Sequence, residues 1–302
     1  MAGVITTGNN PKLLFPGLAA LYGTTYNDMA MMHTQVFDVK ESDKNYEEVQ
    51  ELTGFGLASV KSEGGSIVYT SSSQGPTTRY TNVTYGLGFM ETEEAVEDNQ
   101  YAGKATNKTI ALARSMRHTK ETVVANVLNR AFSNTYLGSD GIRLISASHV
   151  TVNGTQSNTL AADADISEAS LEDMLINIQN ATDSTGLRIG LQGVKLMVPP
   201  SLKYEATRIL KSSGQNDTAN NAVNAMKTMG DLGTIIVWPF LTDTDAWFIK
   251  TDVPNGLTLF NRRASALQKD SDFDTGNYKH KATERYSVGW SDWRGVYGSQ
   301  GA

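Results

Sequence analysis

The chain has 302 residues, 39% of them hydrophobic, so it can bury a substantial core in one elaborated domain or in two. It contains no cysteine, which excludes disulfides, thiolate metal sites and cysteine nucleophiles together. The formal net charge of -6, without a dense cluster of lysine and arginine, argues against a protein that holds nucleic acid by neutralising phosphates.

The N-terminal sequence shows no targeting or membrane signal. MAGVITTGNNPKLL has neither a basic start nor an apolar centre, and no apolar run in the chain is long enough to span a bilayer. We therefore expect neither a signal peptide nor a membrane span, and synthesis in the cytosol.

Residues 1 to about 55 are poorly suited to form a core by themselves. Short apolar patches alternate with Pro11, Pro16, Gly17 and Gly23. This composition predicts an extended arm with one short helix near 17–22, lying on another part of an assembly.

The next stretch has the composition of β-strands. β-Branched and aromatic residues alternate with polar ones on both sides of the turn signal SSSQGP. The pattern predicts a long antiparallel hairpin with arms at 66–72 and 77–88 and its tip near Gln74, Gly75 and Pro76. Because a two-stranded ribbon is marginal in water, we expect it to rest on a neighbour in the same chain or in another copy.

A long amphipathic helix is predicted over 103–132. Small and apolar residues recur there mostly at three- and four-residue steps, without proline and without glycine after Gly103. At 1.5 Å per residue this helix would measure roughly 45 Å, more than one compact domain needs for its interior. Polar residues at 118–121 interrupt the apolar stripe, so we expect one half to be less deeply covered. The acidic residues at 91–98 are interpreted as a short helix leading into the long one, in preference to a metal site.

The C-terminal half alternates helices and strands. Its predicted elements are a helix at 167–181, a strand at 194–198, a helix from Pro200 to Lys211, a polar loop with a short helix at 212–229, strands at 233–238, 245–252 and 257–263, and a long strand at 276–296.

The sequence contains none of the common metal-binding, phosphate-binding or nucleophile motifs. The four histidines lack the HxxxH and HExxH spacings, and neither a GxxxxGK[ST] loop nor a GxSxG elbow is present. We therefore predict no catalytic, cofactor-binding or metal site. A hydrolase that uses Ser139 with His149 and an aspartate remains the distant alternative. The chain has a long helix, an unsupported ribbon and an extended arm, which a single compact monomer would not need. We therefore expect copies of the chain to contact one another. Repeated heterologous contacts between copies close into rings and shells.

Five segments, occurring in the expected order, resemble the major capsid (major head) protein of tailed bacteriophages, in the Mu-like head subunit group. They are TKETVVANVLNRAF (119–132), SNTLAADADISEASLEDMLINI (157–178), KLMVPPSLKYEATRILKS (195–212), DAWFIKTDVPNGLTLFNRR (245–263) and KATERYSVGWSDWRGVYGS (281–299). The resemblance covers most of the chain from about residue 50.

The resemblance implies an α+β chain with the Johnson fold of tailed-phage capsids. The implied parts are an N-terminal arm at 1–61, an extended loop at 62–90, a peripheral domain at 91–186 with the spine helix at 103–132, an axial domain at 187–265, and a returning peripheral strand with the C-terminus at 266–302.

Two sets of contact residues follow from the same resemblance. The tip of the extended loop would contact other subunits through Gln74, Gly75, Pro76, Arg79 and Tyr80. The loop facing the centre of each hexamer or pentamer would carry Gln215, Asn216, Asp217 and Asn220. Some relatives link subunits covalently through a lysine of the extended loop. Here Lys61 is the last lysine before Lys104, so we predict non-covalent assembly.

The implied function is structural: hexamers and pentamers of this chain would form an icosahedral head around double-stranded DNA that lies beside the wall without sequence-specific binding. Implied partners are other copies of the chain, a portal, a scaffolding protein expected to be separate because no scaffolding segment is apparent here, and, as a further candidate, a decoration protein. The protein would be assembled in the host cytoplasm and reside in the virion, with no membrane partner. The alternative with the same fold is an encapsulin-like cellular compartment, which its protein cargo would distinguish.

Overall fold

The structure, a computed structural model, describes residues 15–72, 74–92, 94, 101–214, 223–272 and 274–302. Its helices are α1 Phe15–Asp28, α2 His33–Val36, α3 Tyr101–Asn129, α4 Glu168–Gln179, α5 Lys203–Lys211 and α6 Ala225–Met229. Its strands are β1 Asp38–Glu41, β2 Tyr46–Leu52, β3 Gln74–Thr81, β4 Val83–Glu91, β5 His149–Thr151, β6 Gly154–Gln156, β7 Gly193–Val198, β8 Thr234–Val237, β9 Trp247–Thr251, β10 Leu257–Ser271, β11 Tyr278–Trp290 and β12 Val296–Ser299. Single 3-10 turns occupy Pro200–Leu202 and Trp293–Gly295.

The long sheet has the strand order β1-β10-β11-β4, with β10 and β11 forming an antiparallel hairpin and β1 parallel to β10. Alternate side chains of β11, among them His280, Ala282, Glu284 and Tyr286, are buried. Helix α3 packs against β11, and α1 packs against β10. The long strand predicted at 276–296 is present as β11 but ends at Trp290, before the 3-10 turn Trp293–Gly295.

The short sheet has the order β12-β9-β7-β8. Its core includes Leu196, Trp247, Ile249 and Tyr297, and also the buried side of α4. The helix predicted at 167–181 is α4, and a capping box of Ser167 and Ser170 opens it. The last strand, β12, pairs with β9, so the C-terminus belongs to this sheet and does not simply continue the returning strand expected at 266–302.

Helix α3 is the long helix predicted at 103–132, and it joins two hydrophobic clusters. Its first half packs Ala105, Leu112 and Met116 against α1 and the long sheet. Its second half buries Val124 and Leu128 among side chains that lie between the two sheets. A single rigid element therefore connects both sheets.

One half of α3 is less deeply covered, as expected: five of residues 105–116 are exposed, against two of residues 117–129. Two charged residues of the polar band are nevertheless buried. Lys120 is 7% exposed and Glu121 only 1%. Both are buried because the chain supplies partners: Glu284 of β11 lies 3.8 Å from Lys120 Nζ, and His33 Nδ1 lies 2.6 Å from Glu121 Oε1. Charged groups can be buried where such partners compensate the loss of water.

The N-terminal segment also departs from its prediction. Residues 15–28 form one helix of 14 residues, which lies on the chain's own spine helix. Leu18, Tyr22 and Tyr26 recur every four residues and are buried, so a stripe of large side chains outweighs the helix cost of about 1 kcal/mol for a glycine such as Gly23. The first 14 residues of the predicted arm lie outside the described residues.

The ribbon exists, but its pairing differs from the prediction. β3 pairs with β2, in the antiparallel register Tyr46↔Thr81 to Leu52↔Gln74, and β4 pairs with β11 of the long sheet. The hairpin with arms at 66–72 and 77–88 is therefore wrong. The chain turns from the ribbon into the long sheet at Asn82, whose buried amide donates to Ser42 Oγ and accepts from Ser287 Oγ.

Candidate interaction surface

A projecting loop joins β2 to β3. Every residue from 54 to 72 is exposed, including large apolar side chains: Leu57 is 87% exposed, Tyr69 is 91% exposed and Val60 is 97% exposed. A hydrogen bond from Gly65 N–H to Ser62 O closes a turn at the middle of the loop, and Gly64 supplies the positive φ of 76° that this turn needs. Apolar side chains gathered on a projecting segment mark a surface for association. We call residues 54–72 the projecting loop.

The predicted tip residues lie at the foot of this loop. Gln74, Gly75 and Pro76 begin β3, and a Cβ on Gly75 would lie only 3.1 Å from Glu51 Cβ of β2. Their assignment to the tip is wrong because the ribbon's partner strand is β2, which moves the turn to 62–65. Whether they contact another subunit stays a prediction.

Arg79 and Tyr80 are engaged within the chain. Arg79 lies over the Tyr46 ring at 3.7 Å and pairs with Glu48 at 3.3 Å across the ribbon. Tyr80 is 3% exposed, bonds to Ser291 Oγ at 2.6 Å, and burial raises its pKa to about 12. These contacts stabilise the ribbon within its own subunit. That Arg79 and Tyr80 also contact another subunit stays a prediction.

The second predicted contact set, Gln215, Asn216, Asp217 and Asn220, lies outside the described residues. On either side of it, Gly214 and Val223 form an antiparallel bridge, which brings the two ends of the loop together. Helices α5 and α6 flank this bridge and contact each other.

A polar cavity of about 220 Å³ lies where the ribbon meets the body. Arg294, 2% exposed, joins the parts: it donates to Thr182 O at 2.9 Å and pairs with Asp292 at 3.3 Å and with Glu51 of β2 at 3.7 Å. Burial, together with the nearby Asp292, raises the pKa of Glu51, and the Arg294 guanidinium opposes that shift. This arrangement anchors the ribbon from which the loop projects.

The residues of the hydrolase alternative, Ser139 and His149, lie in the same region but do not form a catalytic triad. His149 Nδ1 lies 2.6 Å from Asp140 Oδ2, and the imidazole stacks on Trp293 with ring centroids 4.3 Å apart. His149 is fully buried, however, and its Nε2 has no hydrogen-bond partner among the described residues. Ser139 Oγ accepts instead from Thr78 Oγ1 at 3.0 Å. A nucleophilic serine requires a hydrogen-bonded base, and here the histidine and the serine are engaged separately.

The described residues form neither a metal site nor a membrane-spanning helix. No group of three or more histidine, aspartate or glutamate side chains there is arranged to hold a metal ion. Within that same part of the chain, no helix has the length and apolar character needed to cross a bilayer.

The architecture matches that of shell-forming subunits. A virus-like particle from Pyrococcus furiosus has a TM-score of 0.57 at 10% identity, over 94% of this chain and 98% of that one. A structure of Microbacterium phage Oxtober96 has a TM-score of 0.55 at 8% identity, over 88% of this chain and 89% of that one. The holo-SrpI encapsulin complex from Synechococcus elongatus has a TM-score of 0.52 at 7% identity, over 91% and 89%. These likenesses confirm the α+β capsid fold that the sequence resemblance implies.

The sequence itself identifies the family. A family model described as phage capsid protein matches residues 75–299. The chain therefore belongs to the phage capsid protein family and is a structural protein of a capsid shell. No curated protein matches the chain.

Proposed function

We propose that this chain is the major capsid protein of a tailed bacteriophage, which forms the hexamers and pentamers of an icosahedral head enclosing double-stranded DNA. Membership of the phage capsid protein family gives the class of function. The observation that carries the proposal is the projecting loop, whose apolar side chains have no cover in the single subunit.

Burial of the projecting loop on a neighbouring subunit provides favourable free energy for assembly. In a shell, the loop of one subunit lies on its neighbour and buries side chains such as Leu57, Val60 and Tyr69. Burial releases about 25 cal/mol per Å² of apolar surface, so each contact is modest and the sum over many copies is large. The contact joins different surfaces of two copies, so it can be repeated around a closed shell.

The domain roles extend this proposal. The extended loop includes the ribbon β2–β3 and the projecting loop, the spine helix α3 belongs to the peripheral part, and residues near 187–265 form the axial part. The loop with Gln215, Asn216, Asp217 and Asn220 faces the capsomer centre, which is supported by the way α5 and α6 bring its two ends together.

The proposal also covers group, partners and location. The five segments similar to Mu-like head subunits support that group. A separate scaffolding protein, a portal and a candidate decoration protein assemble with this chain in the host cytoplasm, and the finished protein resides in the virion. The net charge of -6 supports DNA that lies beside the wall and is not bound by sequence. The chain has no enzymatic role in this proposal.

Electron microscopy of particles formed on expression, with and without candidate scaffolding proteins from the same genome, tests the proposal. We expect closed shells with capsomers of five and six subunits. A protein that remains monomeric under all these conditions would refute it.

The second candidate is an encapsulin-like compartment, which the structural likeness to the Synechococcus elongatus encapsulin favours. The content of native particles separates the two. Nuclease-protected double-stranded DNA supports the phage head, and an enclosed protein without DNA supports the compartment.

A further inference from the structure

Two opposite edges of the short sheet carry opposite charge. Helix α5 contacts the edge strand β8, and helix α4 contacts the other edge strand, β12. The basic surface comprises the exposed side chains Lys203, Tyr204, Arg208 and Lys211 of α5 together with Lys227 and Met229 of α6. Glu205 is the one acidic side chain exposed on α5, so the surface keeps a net positive charge. The acidic surface comprises the exposed side chains Asp163, Asp165, Glu172, Asp173 and Ile176.

Each surface has an apolar centre with charges around it. On the basic surface, Tyr204 is 72% exposed, and Arg208 and Lys211 lie on the same side of α5, one and two turns further on. On the acidic surface, Ile176 is 56% exposed, with Glu172 and Asp173 one turn before it. Ile176 and Asp173 border an open groove of about 680 Å³, lined otherwise by small residues such as Ala161 and Ala162.

Four of the charges on these surfaces have no ion-pair partner among the described residues. None of Arg208, Lys211, Glu172 and Asp173 forms an ion pair with any described residue. The sequence accentuates the asymmetry, because no lysine or arginine occurs between Arg143 and Arg188. Like charges kept together on a surface repel each other, and an opposite surface on a second molecule relieves that repulsion.

We infer that the basic surface of one copy docks on the acidic surface of a second copy, with Tyr204 entering the groove beside Ile176. The inference rests on the proposed function and names the electrostatic contact that orders neighbours within a capsomer. The occupant is another copy because the chain itself carries both complementary surfaces. Since they lie at opposite edges of one sheet, the contact is head to tail and leaves each copy with one free surface for the next. In a closed ring of copies, every basic surface and every acidic surface is occupied.

Charge reversal tests the pairing. The full-length variants Arg208→Glu/Lys211→Glu and Glu172→Lys/Asp173→Lys should fold, as judged by circular dichroism and thermal melting. Each should reduce the yield of sedimenting shells by roughly tenfold or more, because juxtaposed like charges cost more than the 1.4 kcal/mol that a tenfold change represents. The chain with all four substitutions has exchanged the signs of both surfaces, so it should recover most of the wild-type yield.

The matched control reverses two exposed cations elsewhere, Arg114 on α3 and Lys281 on β11, as Arg114→Glu/Lys281→Glu. It should assemble like the wild type. If a reversal prevents folding, the neutral variants Arg208→Gln/Lys211→Gln and Glu172→Gln/Asp173→Asn replace it, with a smaller loss expected.

The outcomes are separable from those of the proposed function. Wild-type shells together with unimpaired reversal variants would overturn the charge pairing alone. So would a fourfold variant no better than either parent, which would show that the surfaces face other partners. An equal loss in the control would also overturn it. A wild-type chain that never assembles would defeat the proposed function and this inference with it.

Discussion

His280 makes the folded subunit sensitive to acid. It is buried on β11 and stacked on Phe89 with ring centroids 4.8 Å apart. Burial, helped by Lys269 and Lys108, lowers its pKa from 6.5 to about 4. A histidine with a lower pKa in the folded chain favours the neutral form there. Its stabilising contribution is therefore complete above pH 6.5 and is lost as the pH falls through about 4.

We expect the free energy of unfolding to fall between pH 6.5 and pH 4, with up to about 3 kcal/mol of the loss due to His280. Denaturant unfolding of the unassembled subunit at several pH values measures it. His280→Phe, which keeps a planar ring on Phe89, should flatten the pH dependence. The exposed His118, replaced as His118→Gln, is the control. An unchanged slope in His280→Phe would show that another group controls the acid response.

Lys120 and Glu284 form a buried cluster that holds α1 on the spine helix. Glu284 accepts from the Tyr26 hydroxyl at 2.8 Å and lies 3.8 Å from Lys120 Nζ. Arg117 donates to Tyr26 O at 2.7 Å and lies over the Tyr26 ring. Burial raises the pKa of Glu284 and lowers that of Lys120, so each charge is costly without the other.

Removing one member of this pair should cost more than removing both. We expect Glu284→Gln or Lys120→Met alone to lower the free energy of unfolding by roughly 3 kcal/mol or more, because one charge remains buried without its partner. The double variant should lose clearly less than the sum of the two. Chemical denaturation of the four proteins completes the cycle, and strict additivity would mean that the two side chains do not interact.

At the level of elements, the sequence predicted the helices and strands that have a clear local hydrophobic pattern. Apolar residues recur with the helical period in α3 and α4 and with the strand period in β7 and β11. These patterns are distinctive enough to be recognised from sequence. The ribbon was predicted with the wrong partner because residues 66–72 alternate as a strand would, and alternation does not say which distant segment completes the pair. The N-terminal helix was predicted too short, at 17–22 and not 15–28, because its glycines and proline suggest a breaker, whereas packing of Tyr22 and Tyr26 on α3 decides its conformation.

The interaction surface was predicted only in outline. A projecting ribbon was expected, but its tip was assigned to Gln74, Gly75 and Pro76. A signal for the true tip was present in the sequence: apolar residues at 55–60 and 67–69 flank the Gly64-Gly65 pair, which is a turn signal. The unpaired charges of α4 and α5 could not be recognised from sequence, since their separation at the two sheet edges depends on the order β12-β9-β7-β8.

The projecting loop should be dispensable for folding and necessary for shells. Leu52 pairs with Gln74, so the ends of the loop are adjacent and a short Gly-Ser turn can replace residues 54–72. A deletion of 72–78, around the tip expected from the sequence, would instead remove most of β3. The loop replacement should keep the thermal unfolding of the subunit within a few degrees and abolish closed particles in electron micrographs.

A length-preserving control separates chemistry from shape. Leu57→Ser/Val60→Ser/Tyr69→Ser keeps the loop and removes three of its large apolar side chains. We expect fewer shells and a more soluble subunit, because the buried apolar area that drives association is lost. Normal particles from both variants would mean that the loop has no part in assembly.

At the scale of the whole molecule, the subunit is partly self-contained. Residues 15–52 fold back onto their own body, and buried pairs such as His33 with Glu121 hold them there. The expectation of an arm reaching outward is therefore not met for these residues. The loop at 54–72 does reach outward, and the charged edges of the short sheet also lack partners among the described residues. Among the described residues, the projecting loop and these edges are thus two surfaces that a single copy leaves without cover.

Hydrogen exchange can locate these surfaces in a single experiment. In the free subunit, amides of 54–72 should exchange rapidly, since the loop is exposed throughout, while those of α3 and β11 should exchange slowly because they lie in the core. Assembly excludes water from the surfaces that become buried. We therefore expect strong new protection in the loop, and little further change in α3. Mass spectrometry of free and assembled protein under the same conditions measures both. Loop amides that exchange equally fast in the two states would show that the loop stays exposed in the shell, and that other surfaces hold the subunits together.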